Sequence, residues 1–173
     1  MVTAKPKSLL AKEAGHNKRF GIVVSRYHEE LTQKLLDGAL ETLKNHGAKA
    51  DQIHTVWVPG SFEIPMAARA LTLHDIDAVI CLGIVIKGET PHDEYIAREA
   101  ARGVSSVALT SGVPVIFGVL TTLTMDQAKA RCGGEHGHKG VEAAEAALQM
   151  IGVLAGIKTL EGHASKSGRN VGF

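Results

Sequence analysis

Lys87, Gly88, Glu89 and Thr90 run directly into Pro91 and His92. This segment brings flexible backbone amides, a hydroxyl and a cation to the predicted start of a helix. Those are the parts of an anion site, because a helix N-terminus directs unsatisfied N–H groups and a positive dipole end at its guest. Phosphate is the natural guest, with Glu89 turned away and only its amide facing the anion. A Thr90 helix cap with no ligand is the plain alternative. His92 falls in the first turn of that helix, where the dipole disfavours the imidazolium and leaves a neutral ring able to take or give a proton near pH 7. The chain has 9 histidines, so position singles His92 out, against the alternative of an ordinary surface histidine.

Aromatic residues are scarce, with 1 Trp, 2 Tyr and 4 Phe, and three of them fall near predicted strand ends. Tyr27 and Phe62 follow the first two strands, and Phe117 lies in the fourth. Three rings toward one edge suit a flat ring as ligand, while ordinary core or rim packing explains them equally well. Arg131 and Lys139 bracket a glycine-rich segment containing Cys132, His136 and His138. The two cations can reach an anion. The Cys and His spacing matches no zinc signature and has no second cluster to complete four ligands, so solvated loop residues are the better reading. Neither a dinucleotide-binding glycine fingerprint nor a P-loop occurs in the chain.

The elements that must position these residues form a repeating pattern. Phe20 to Ser25 is a β-branched run, and Leu31, Leu35, Ala39, Leu40 and Leu43 follow at helical spacing until Gly47. Ile53 to Val58 is strand-like, Pro59 and Gly60 break it, and Phe62 to His74 is predicted helical. Ala78 to Ile86 is apolar almost without interruption, as a central parallel strand covered on both faces must be. A helix from Pro91, a strand over Val113 to Leu120, a short capped helix from Thr124 to Arg131 and a last helix over Val141 to Ile157 complete the pattern. Four strand-then-helix units imply right-handed crossovers and an α/β, three-layer flavodoxin-like sandwich: a four-stranded parallel sheet with helices on both faces. Ligands of such sheets bind outside the carboxyl ends of the strands, which is where the loops above fall.

Length and composition set the outer bounds. At 173 residues the chain has room for about one domain. We expect an arm at residues 1–18, a domain over 19–157 and a loosely ordered tail at 158–173. Apolar residues at 45% and charged residues at 21% are globular composition. A net charge of +1 provides no field to recruit nucleic acid or an anionic membrane. No apolar run reaches the length of a spanning helix and no signal-peptide core is evident, so the expected setting is cytoplasmic. The two cysteines, Cys81 and Cys132, fit a reducing compartment.

Four segments together resemble the lumazine synthase family of riboflavin biosynthesis: Pro59 through Pro65, Gly83 through His92, Phe117 through Thr122, and Arg131 through Gly140. They occur in the family's order and spacing, and the likeness extends over roughly residues 18–157. The resemblance implies condensation of 5-amino-6-ribitylaminouracil with 3,4-dihydroxy-2-butanone 4-phosphate to 6,7-dimethyl-8-ribityllumazine, with release of phosphate and water and with no cofactor or metal. By motif position, Tyr27 would stack on the pyrimidine, Ser61, Phe62 and Glu63 would hold the ribityl chain, and backbone around Val85 and Ile86 would bind the heterocycle. Lys87, Gly88, Glu89 and Thr90 would hold the phosphate with Arg131, and His92 would shuttle protons. In the family's arrangement Phe117, Arg131 and Lys139 come from an adjacent subunit. The chain departs from the family pattern at Lys87, where Arg is common, and at His28, where Asn is common. Lys87 keeps the charge but loses bidentate geometry.

The family builds pentamers that stop there, pair into decamers or close into sixty-subunit shells. The short Arg131 to Lys139 segment favours the shell, and riboflavin synthase is a candidate partner. Two alternatives stand beside the enzyme: a catalytically weak paralogue that binds lumazine or flavin, and a shell-forming scaffold. With the resemblance set aside, a flavodoxin-like phosphate-binding module is the reading the residues support.

Overall fold

The computed structural model describes residues 11–166, and the side chains of residues 11–159. Its four parallel strands are β1 (Phe20–Ser25), β2 (Ile53–Val58), β3 (Ala78–Ile86) and β4 (Val115–Thr122), in the sheet order β2-β1-β3-β4. Helices α1 (Glu29–Asn45) and α5 (Lys139–Lys166) cover one face, and α2 (Ile64–Leu71) and α3 (His92–Ser111) cover the other. The expected α/β sandwich is therefore present.

Alternation along the strands explains why the central runs are apolar throughout. Ile22, Val24, Ile80, Leu82 and Ile84 pack with Leu35, Leu43, Ala144 and Leu148 on the α1 and α5 side. Their neighbours Val23, Val79 and Cys81 pack with Ile64, Ala68, Val104 and Val107 on the other. Successive side chains of a strand point to opposite faces, so a strand buried on both faces has no polar position to offer.

Several boundaries differ from the sequence reading, each for a local reason. The second helix is shorter than expected: Ser61–Glu63 is a 3-10 turn, and α2 begins at Ile64 with Pro65 in its first turn, where a missing N–H is harmless. The fourth strand starts two residues late, at Val115, because Pro114 cannot donate to the ladder and contributes only its carbonyl, to Val79 N–H at 2.8 Å. It ends late as well, at Thr122, held by the Ile86 pairing and by Lys87 N–H on the Thr122 carbonyl at 2.9 Å. The short helix α4 is Met125–Lys129, capped by Thr124 Oγ1 accepting from Gln127 N–H at 3.2 Å. Gln127 Oε1 accepts from Leu123 N–H rather than from the cap residue, so only half of a capping box forms.

The expected loose tail is corrected over its first part, since α5 continues through Lys166. Residues 167–173 lie outside the described residues. By length and composition Lys139–Thr159 is long and apolar enough to cross a membrane, although charged and polar residues interrupt its apolar run. Ala143, Ala144, Ala147 and Leu148 of this segment are buried in the core beside α1 and the sheet. Residues 1–10 of the expected arm lie outside the described residues. Its later part docks on its own protomer: Gly15 N–H donates to the His46 carbonyl at 2.7 Å, and Lys18 Nζ meets Asp77 at 3.1 Å.

Candidate active site

Three strand ends converge at the carboxyl edge of the sheet and form a cavity of about 470 Å³. The first wall follows β1. Thr32 Oγ1 donates to the Ser25 carbonyl at 2.7 Å and Tyr27 N–H donates to Ser25 Oγ at 3.2 Å, which fixes the turn into α1. Arg26 N–H donates to the Val58 carbonyl at 2.8 Å, and its guanidinium lies 5.4 Å from the Trp57 ring centre, tying the same turn to β2. The Tyr27 ring is left 67% exposed at the cavity mouth.

The second wall is Pro59, Gly60 and the 3-10 turn, with Phe62 and Glu63 exposed and Ser61 buried. Ser61 Oγ has no hydrogen-bond partner among the described residues. It rests over Gly83, where a Cβ would come within 2.6 Å of it. A buried hydroxyl left unpaired is destabilising. Ile84, Val85 and Ile86 form the floor, and Gly88, Thr90, His92, Asp93 and Ile96 form the third wall.

The segment expected to cradle an anion lies partly on this cavity. Gly88, Thr90 and His92 face the cavity, but Glu89 does not line it and Lys87 lines an adjoining cavity of about 380 Å³ with Thr121, Thr122 and Gln127. Pro91, not Thr90, precedes the first helical residue, and no side chain caps α3. One cradle amide is already taken: Gly88 N–H donates to Asp93 Oδ1 at 3.3 Å. Asp93 was missed in the sequence because an acid in a helix's first turn is ordinary dipole compensation. The charged lining of the larger cavity is Glu63 and Asp93, with neither Lys nor Arg among its wall residues.

Phe117, Arg131 and Lys139 lie elsewhere in this protomer. Phe117 does not join Tyr27 and Phe62: it pairs with Cys81 in mid-strand on the edge of the sheet, 40% exposed. The late start of β4 does not bring it to the carboxyl end, since Thr122 is the residue opposite Ile86. Arg131 and Lys139 stand at the neck of an antiparallel hairpin, β5 (Cys132–Gly134) and β6 (Gly137–His138), where Lys139 N–H donates to the Arg131 carbonyl at 2.9 Å. This hairpin was not foreseen in the glycine-rich segment. It docks on α1, with the His138 ring seated against Gly38 and Gly140 against the Leu35 carbonyl. Arg131 Nη1 donates to the Gln127 carbonyl at 2.9 Å, and Lys139 pairs with Glu142.

Cys132 and His138 are ladder partners in the hairpin, and His136 lies between its two strands. Cys132 is buried, its thiol pushed up by burial and partly drawn back by Lys34, while His136 meets Glu135 at 3.7 Å. Among the described residues no group of three or more His, Cys, Asp or Glu is placed to hold a metal.

One protomer thus presents two rings, an unpaired hydroxyl, strand-end backbone, two carboxylates and a histidine around one cavity. A family model described as 6,7-dimethyl-8-ribityllumazine synthase matches residues 17–155.

Proposed function

The chain belongs to the 6,7-dimethyl-8-ribityllumazine synthase family, whose role lies in riboflavin biosynthesis, and from that premise we propose that it condenses 5-amino-6-ribitylaminouracil with 3,4-dihydroxy-2-butanone 4-phosphate. The pyrimidine stacks on Tyr27 and meets the Val85 and Ile86 backbone. Its ribityl chain runs along Ser61, Phe62 and Glu63. The phosphate lies against Gly88 and Thr90, with Lys87 and Glu89 flanking, and is neutralised by Arg131 of an adjacent copy; Phe117 and Lys139 arrive with it. Small-molecule substrates and a homo-oligomer are what the family brings. A pentamer-based assembly closing into a shell in the cytoplasm is the form we propose here.

The pyrimidine's primary amine attacks the ketone carbonyl and water leaves as the imine forms. Phosphate is then eliminated, the resulting enol tautomerises to a ketone, and the ribitylamino nitrogen attacks that carbonyl and closes the second ring with loss of a further water. Imines form readily, so holding the two partners in register supplies most of the acceleration. His92, at the first position of α3 and on the cavity wall, moves protons between the amine, the carbonyl oxygen and the leaving groups.

The observation that carries this reading is the cavity wall itself. Ser61 with its unpaired hydroxyl, Phe62, Gly88, Thr90 and His92 belong to two of the segments that resemble the family, and with Tyr27 they line one cavity at three different strand ends. Incubation of the purified assembly with both substrates tests it. Lumazine fluorescence rising with equimolar phosphate is the expected result. Intact assembly with neither would overturn it.

A further inference from the structure

We propose that His28 is a positioning residue that sets the angle of the Tyr27 ring, and so tunes affinity for the pyrimidine, where the family commonly has Asn. This rests on the stacking role given to Tyr27 above. His28 has φ 61° and ψ 45°, the left-handed region, and only Asn17 shares a positive φ among the described non-glycine residues. Asn, Asp and His reach that region more readily than other L residues, at some strain.

Strain of this kind persists where its surroundings fix it. The His28 carbonyl accepts from Leu31 N–H at 2.9 Å and from Thr32 N–H at 3.1 Å, closing the first turn of α1. Its side chain makes no cap hydrogen bond. A residue chosen for capping would be Ser, Thr, Asp or Asn with its oxygen on the helix amides, so the imidazole serves something else.

What it meets is Tyr27. The two ring centres are 4.8 Å apart with planes at 72°, an edge-to-face pair, and that geometry is the favoured one for aromatic contacts. His28 does not line the cavity, whereas Tyr27 does. Desolvation holds His28 below the ordinary histidine value, so the contact at neutral pH is between uncharged rings.

The test is equilibrium binding, by calorimetry on the full assembled protein, of the 5-nitro analogue of the ribityl-pyrimidine, which lacks the nucleophilic amine. The proteins are wild type, His28→Gly and His28→Ala. Glycine keeps the left-handed backbone free of strain and removes the ring, while alanine removes the ring and strains the backbone. Both variants are expected to weaken binding roughly 2- to 10-fold, the range of an edge-to-face pair. Only His28→Ala should melt lower. A His28→Gly protein that binds like wild type would overturn the proposal while leaving the stacking role of Tyr27 intact. A wild-type protein that ignores the analogue would overturn both.

Discussion

The two sides of this molecule that matter for chemistry are built differently. The walls contributed by the loops after β1, β2 and β3 are assembled within one protomer, from Tyr27, Ser61, Phe62, Val85, Thr90 and His92. The hairpin that carries Arg131 and Lys139 is locked onto α1 in the opposite layer and sends neither cation to that cavity. On the proposed function the first side takes the uncharged pyrimidine. It is not ready for a dianion, because the charges it presents, Glu63 and Asp93, have the wrong sign. On the proposed function, the protomer's own fold prepares recognition of one reactant and leaves the other to a neighbour.

Substitutions on the two sides should fail in different ways. His92→Ala is expected to lower kcat by about 10²- to 10³-fold with both KM values little changed, the loss expected of a general acid and base. Complete loss in an intact assembly would contradict a mainly positional mechanism. Gly140→Ala should be the most damaging change to stability, about 3 kcal/mol, because its Cβ would press on the Leu35 backbone carbonyl. Gly88→Ala has nothing nearer than 3.9 Å to meet and should melt like wild type. Equal melting of the two variants would erase the distinction between a locked hairpin and a roomy cradle.

Smaller effects sharpen the contrast further. Arg131→Ala is expected to raise KM for the phosphorylated ketone by about 10- to 10²-fold, as loss of a charge-assisted contact does, and to leave KM for the pyrimidine unchanged. If Lys87→Ala has that effect instead, the cation belongs to the protomer's own loop. The smallest effect is on pH dependence. His28 is held below its ordinary value of 6.5, so as pH falls through 6.5 the unfolded chain takes up a proton that the folded chain refuses until lower pH. Its contribution to stability is therefore whole above 6.5, is lost between 6.5 and the lower folded value, and is constant below that. The melting-temperature difference between wild type and His28→Gly should shift against wild type on acidification from pH 7.5 to 5.

How much of this was legible in the sequence follows from which forces are local. β3 was legible because burial on both faces leaves a nine-residue apolar run with no polar position. The cavity loops were legible because a parallel sheet gathers its carboxyl ends. The hairpin was not: Gly133 and Gly137 have φ of 100° and 84° for its turn, and Gly140 is small because Leu35, more than a hundred residues earlier, lies against it. No period in the sequence records such a contact. The Phe117 position was misjudged because β4 runs on to Thr122, opposite Ile86, which leaves Phe117 in mid-strand opposite Cys81. Asp93 escaped notice because its acceptor role toward Gly88 looks, in sequence, like any acid at a helix start.

That a working site draws His92 from one protomer and Arg131 from another is tested most directly by mixing His92→Ala and Arg131→Ala subunits, dissociated and reassembled together, at ketone concentrations well below the KM of the Arg131 variant. Random assembly would give about a quarter of the sites both wild-type groups, and activity should rise to about that fraction of wild type from near nothing in either parent. A reassembled mixture no more active than the mean of its parents would place both groups within one chain and contradict the account.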